Sequence, residues 1–188
     1  MGREGPSQQG SRAFVDRTVE PCLGPSRHVP TVPHTGPVEI NGPVRVEVTW
    51  GHADDEHLLR RAVATALGIG LDDIVETRIC PDCGANTHGR PVVRHAGPPP
   101  TRRAGYVSLS RHREVAVVAW CAEAPVGIDV DGPGRRAWVR REARGKCVGG
   151  GITTPDPVHL TTRLLMAPSD YVAAIAVDTI GEWELVVR

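Results

Sequence analysis

The longest uninterrupted apolar run in the chain, Val115–Ala122, is 8 residues long. That is the length of one strand, far short of the ~20 residues that a membrane-spanning helix needs. Any core must therefore be assembled from several short segments. Val44–Trp50 alternates apolar and polar residues, the period of a half-buried strand. Ile74–Ile79, Tyr106–Leu109, Val115–Cys121, Val126–Val130, Tyr171–Val177 and Trp183–Val187 read as further strands, with a polar turn at Arg111–Arg113. Asp54 and Asp55 are expected to open an amphipathic helix carrying Leu58, Leu59, Ala62, Val63 and Leu67 on one face, closed by Gly68 and Gly70. A second helix is expected over Trp138–Lys146, stopped by Gly149-Gly150-Gly151, and Arg94–Ala104, with three consecutive Pro, reads as a loop. Helices and strands alternate irregularly, which points to the α+β class.

Residues 1–43 hold seven Pro and six Gly and no sustained apolar period. Proline removes backbone donors and glycine costs chain entropy on folding, so a variable leader is expected, with the ordered chain starting near Val44. Charge balances at 22 basic and 22 acidic residues, with a pI near 7.1. A nucleic-acid partner is disfavoured, because such proteins usually carry a basic excess. The N-terminal residues have no hydrophobic signal segment. Five Cys, two of them spaced C-x-x-C, suit reduced thiols better than a disulfide framework. The expectation is a soluble, cytoplasmic monomer without a membrane partner.

Chemistry concentrates in three places. Gly127-Ile128-Asp129-Val130-Asp131 puts two carboxylates at i and i+2 of a strand, on one face, where they repel unless a cation sits between them or one is protonated. Hard oxygen ligands of this kind suit Mg²⁺; the plainer alternative is a strand-end acidic turn. On the following helix Trp138, Glu142 and Lys146 fall at i, i+4 and i+8 in one stripe, which reads either as a solvated Glu–Lys pair or as a third carboxylate near the first two. Arg135, Arg136, Arg140, Arg141, Arg144 and Lys146 form a local basic cluster, either a solvated face or a dock for an acidic partner. Cys80-x-x-Cys83 followed by His88 resembles half of a zinc site. No fourth ligand is evident among Cys121, Cys147, His95 and His112, and a Pro/Gly turn with two reduced thiols is the commoner outcome, so zinc is kept as a minor alternative.

Three ordered blocks carry a resemblance: Gly89-Arg90-Pro91; Val107-Ser108-Leu109-Ser110-Arg111; and Gly127-Ile128-Asp129-Val130-Asp131 followed by Trp138-Val139-Arg140-Arg141-Glu142-Ala143-Arg144-Gly145-Lys146. From about Val44 onwards the chain resembles the 4'-phosphopantetheinyl transferases of the surfactin-synthetase-activating type. Cys80-Pro81-Asp82-Cys83-Gly84 is similar to the actinobacterial branch. The resemblance implies an α+β pseudo-dimer of two small halves, residues 44–125 and 126–188. The second half would be abridged, since only six residues separate Asp131 from Trp138. It also implies Mg-dependent transfer of phosphopantetheine from coenzyme A to a serine of an acyl or peptidyl carrier protein, in polyketide, nonribosomal peptide or fatty acid biosynthesis. By the same resemblance Asp129, Asp131 and Glu142 hold Mg²⁺, and Glu142 and Lys146 are the catalytic pair. Arg90, Ser110 and Arg111 meet the nucleotide end of coenzyme A, and the carrier docks near Arg135–Lys146. Arg111 stands where family members usually have His, and Asp131 where Glu is common. Activity is expected to be reduced by the abridgement. The competing readings are a non-catalytic relative that binds coenzyme A or a carrier protein, a small zinc-binding interaction module on Cys80, Cys83 and His88, and a sugar-nucleotide transferase using Asp129 and Asp131.

Overall fold

The computed structural model describes residues 43–81, 83–97, 104–150, 155–158 and 160–188. The expected leader over residues 1–43 lies, Pro43 apart, outside the described residues, as does most of the Pro-rich loop. The described chain is a strand-rich mixture of strand and helix, at 43% and 19%. In order the elements are β1 (Val44–His52), α1 (Leu58–Leu67), a short 3-10 turn (Leu71–Asp73), β2 (Ile74–Ile79), β3 (Arg90–His95), β4 (Tyr106–His112), β5 (Val115–Cys121), β6 (Val126–Asp131), α2 (Arg136–Val148), β7 (Thr161–Leu165), β8 (Val172–Val177) and β9 (Trp183–Val187).

Two sheets carry most of the chain. The first has the order β4-β5-β1-β9, with β9 parallel to β1 and the other neighbours antiparallel. The second is β6-β8-β7, antiparallel throughout. Strand alternation sorts their side chains into layers. Val44, Val46 and Val48 of β1, Val117 and Ala119 of β5, Val126, Ile128 and Val130 of β6, and Ala173, Ile175 and Val177 of β8 share one core. On the outer face of β5, Ala116, Val118 and Trp120 meet Leu58, Leu59, Ala62 and Val63 of α1. On the outer face of β8, Ala174 and Ala176 meet Val139, Ala143 and Cys147 of α2. Small residues on β8 let its helix lie close, and the near absence of Phe and Tyr is made good by valine packing.

The sheets also meet edge to edge. Ser108 Oγ accepts the Ile128 N–H at 3.0 Å, and Ser110 Oγ accepts that of Val130 at 3.3 Å. Serine side chains of β4 thus stand in for ladder carbonyls toward β6. A separate hairpin, β2-β3, packs beside them.

Several expected boundaries shift. Asp54 and Asp55 form the turn before α1 rather than its first turn. The Asp55 carboxylate accepts the His57 N–H and pairs with Arg61, and its carbonyl accepts from Leu58. Gly68 ends α1 in the left-handed region at φ 67°, as a glycine there should. The expected turn at Arg111–Arg113 contracts to the two residues between His112 and Val115, which are paired. Arg90–His95, partly taken as loop, is a full strand, and Thr161–Leu165 was not anticipated. Among the described residues no helix is long and apolar enough to cross a membrane.

Candidate functional site

The site begins with a glycine. A Cβ built on Gly127 of β6 would run into the Ala143 carbonyl oxygen and the Cys147 backbone of α2, with Cys147 Cα at 3.0 Å. Only a residue without a side chain lets helix backbone sit this close on strand backbone. The same face of β6 carries Asp129 and Asp131, so the close seat presses the Glu142–Lys146 stripe of α2 onto the strand's carboxylates.

Asp129 is buried, 6% exposed. Its Oδ1 accepts from Ser110 Oγ at 2.7 Å and from Lys146 Nζ at 2.7 Å. Ser110, expected to meet a nucleotide, is itself buried and is committed to Asp129 and to the Val130 amide. Glu142 lies beside this pair. Its Oε1 is covered and has no hydrogen-bond partner. Burial, and then the charge of Asp129, raise its carboxyl above the usual glutamate range, while Lys146 and Arg141 offset part of the effect. Two carboxylates that repel each other in this way are stabilised together by positive charge or by a proton on one of them.

Asp131 is more crowded. Its Oδ1 accepts the Gly132 N–H at 2.6 Å and lies 3.4 Å from His112 Nδ1, and its Oδ2 accepts from Arg135 Nε at 3.2 Å. His112 Nε2 is covered and unpartnered, and its ring meets Tyr171 edge-on at 6.0 Å. Sequence reasoning weighed His112 only as a remote zinc ligand; its neighbour in the Ser110-Arg111-His112 run was the signal that could have placed it here. Among the described residues, Asp129, Asp131 and Glu142 do not converge as a three-ligand group with donor atoms within 4.8 Å of one another. Glu142 is coupled electrostatically to Asp129, while Asp131 is engaged by Gly132, His112 and Arg135.

Arg90 opens β3, and its guanidinium lies against Gly149, which ends α2 at φ 82°. Arg111 is exposed, and its Nε donates to the Ala53 carbonyl at 3.0 Å. Burial of its stem, followed by the charge of Arg78, lowers its pKa, so Arg78 of β2 is a cationic neighbour that the sequence did not single out. The basic cluster divides. Arg136, Arg140 and Arg141 are exposed on α2, and Arg135 stacks on the Trp138 ring at 4.8 Å. Arg144 instead turns to Asp156, with contacts of 2.7 and 2.5 Å, and Lys146 turns to Asp129. Those two cations do not belong to the outward face.

Away from α2, the donor atoms of Cys80, Cys83 and His88 lie within 4.8 Å of one another and could hold a metal ion. Cys121 and Cys147, two of the remote candidates for a fourth ligand, are buried elsewhere in the core. No family model matches the chain, and no curated protein matches it either.

Proposed function

We propose that the chain transfers phosphopantetheine from coenzyme A to a carrier-protein serine, with the reaction centred on Asp129, Glu142 and Lys146. The observation that carries this reading is the covered, unpartnered oxygen of Glu142, whose carboxyl feels the charge of Asp129, with Lys146 one turn further along the same helical stripe and bonded to Asp129. A divalent ion such as Mg²⁺, held by Asp129 and Glu142 with Asp131 as third carboxylate, would supply Lewis-acid neutralisation of the pyrophosphate.

The chain's own groups then divide the work. The carrier serine Oγ forms a bond to the β-phosphorus, the bond from that phosphorus to the bridging oxygen breaks, and adenosine 3',5'-bisphosphate leaves with the electron pair. Glu142, whose carboxyl is held above the usual glutamate range by burial and by the charge of Asp129, takes the serine proton. Lys146 exchanges its contact with Asp129 for the charge developing on the phosphate oxygens. Ser110 acts through Asp129, fixing the carboxylate by its hydroxyl. The guanidinium of Arg111, with Arg78 near it, suits the 3'-phosphate end, because Arg presents a planar fork to phosphate. Arg136, Arg140 and Arg141 offer an acidic carrier helix its dock.

A second reading, a chain that binds coenzyme A or a carrier without turnover, draws on Asp131, whose two oxygens are already taken by Gly132, His112 and Arg135. The two separate in one experiment: magnesium-dependent transfer of label from coenzyme A to an apo acyl or peptidyl carrier protein. Transfer that disappears in Glu142→Ala supports the first reading. Transfer undiminished in Glu142→Ala removes the catalytic assignment, and coenzyme A binding without any transfer selects the second.

A further inference from the structure

We infer that the loop between β2 and β3 is a zinc site formed by Cys80, Cys83 and His88, one that staples the hairpin and owes nothing to the transferase reading. Ile79 and Arg90 are paired at the hairpin's end, so residues 80–89 form the connecting loop. This loop is folded back on itself. Cys80 N–H donates to the Ala85 carbonyl and Gly84 N–H to the Cys80 carbonyl, both at 2.9 Å. Gly84 and Gly89 adopt positive φ, 72° and 95°, and a Cβ on Gly89 would collide with the backbone of Ile79 and Cys80. A loop that uses two left-handed glycines and such a close backbone approach is built to point its side chains at one place.

The place is a donor cluster. Cys83 Sγ and His88 Nε2 are 3.5 Å apart. With bonds of ~2.3 Å to sulfur and ~2.1 Å to nitrogen, two ligands on a tetrahedral zinc lie about 3.6 Å apart. The spacing is therefore already that of a tetrahedron's edge. Cys80, only 4% exposed, supplies the third vertex from the buried side. His88 Nδ1 lies 3.3 Å from Thr87 Oγ1, a partner that fixes the ring and leaves the Nε2 lone pair to the metal. Among the described residues no further His, Cys, Asp or Glu joins the group. Binding releases the two thiol protons and yields a neutral set of two thiolates, one imidazole and Zn²⁺.

The hairpin has reason to need it. β2 and β3 pair only with each other, and Val75 and Ile79 face solvent at 44% and 36% exposure. Ile74 and Val93 are buried in the core with α1, so it is the loop end of the hairpin, at Ile79, that a metal would hold. The stapled loop is joined to two cations, since Arg78 donates to the Gly89 carbonyl at 3.2 Å and Arg90 follows immediately. Zinc would hold both arginines at fixed positions, Arg90 beside the end of α2 and Arg78 near Arg111.

The test is cobalt substitution of the full chain after reduction and chelation, with metal counted per chain. The expected result is one equivalent of Co²⁺, a thiolate-to-cobalt charge-transfer band, and tetrahedral visible absorption. Cys83→Ser should weaken binding more than about 100-fold, by analogy with the lesser losses caused by outer partners, and at saturating cobalt should keep only the weaker band of the single Cys80 thiolate. His88→Cys should keep binding and intensify the band, which guards against mistaking misfolding for lost ligation, and His95→Asn should change nothing. A stoichiometric metal with no thiolate band, equal affinity in Cys83→Ser, or a Cys80–Cys83 disulfide in place of metal would overturn the inference.

Discussion

Replacing Gly127 with alanine puts the seat of α2 on β6 under direct test. The added methyl would fall inside contact distance of the Ala143 carbonyl and the Cys147 backbone, and 3.0 Å from Cys147 Cα. Carbon pairs prefer about 3.5–4.0 Å, so the helix must retreat on the order of 1 Å. Backbone, unlike a flexible side chain, cannot step aside. Overpacking of this kind costs about 1–3 kcal/mol. The retreat also stretches the 2.7 Å contact of Lys146 with Asp129 beyond hydrogen-bonding range, leaving a buried carboxylate with Ser110 as its remaining side-chain donor. A total of about 2–3 kcal/mol is expected, or ~4–12 °C in Tm for a chain of this size. Urea unfolding followed by circular dichroism measures it, with the midpoint moved and the slope unchanged. Transfer activity should fall further than stability alone requires, because three groups of the site lose register together. A Gly127→Ala protein within about 0.5 kcal/mol of the parent, the range of an ordinary surface substitution, would refute the close seat and the geometry drawn from it.

Ser110→Ala removes a donor from Asp129 and an acceptor from the Val130 amide, both buried, and should cost about 1–3 kcal/mol in the same urea assay. Ser110→Thr, which keeps the hydroxyl, should recover part of it. Because the folded-state pKa of Glu142 lies above its unfolded value, the folded chain binds that proton more tightly. The contribution of Glu142 to stability is accordingly fully present below the ordinary carboxyl value of 4.5 and is lost as pH rises from there through the raised pKa. Glu142→Gln should flatten that decline in a Tm-against-pH series, and Mg²⁺ should raise Tm in the parent above that window but not in the variant. Burial pushes the thiols of Cys121 and Cys147 up to about 11 and about 12, so iodoacetamide at pH 8 should modify neither until the protein is unfolded, as peptide mapping would show.

β1 was legible from sequence because burial on one face gives it a period of two, a local signal, and β5, buried on both faces, was legible as a continuous apolar run. Helix α2 was legible in its Trp138–Lys146 centre, but its first turn was not. Arg136 and Ala137 are exposed, and the helix is held by Val139, Ala143 and Cys147 beneath it. β3 was obscured because Arg90-Pro91-Val92-Val93-Arg94-His95 has only two apolar residues between charges, and its strand state depends on pairing with β2. The pairing of Asp129 with Lys146 follows from a strand-to-helix register that no spacing rule contains. Gly127 was read as part of a motif, while its physical role, admitting the helix backbone, is visible only once both elements are placed. The inward turn of Arg144 depends on Asp156, a residue beyond the glycine run that ends α2.

β9 pairs in parallel with β1, Val44 against Trp183, and Arg188 then reaches back to Glu47 at 2.8 Å. β1 therefore waits for a strand that lies 139 positions later in the sequence. Loop closure over such a span must be paid before the pairing returns anything, so this contact forms late and slows the whole fold. Until it forms, β1 keeps an open hydrogen-bonding edge at Val44–Val48, and a nascent chain emerging from the ribosome carries that edge uncovered until residues 183–187 have been made. Aggregation during expression should track the availability of residues 183–188 more closely than the stability of the finished protein.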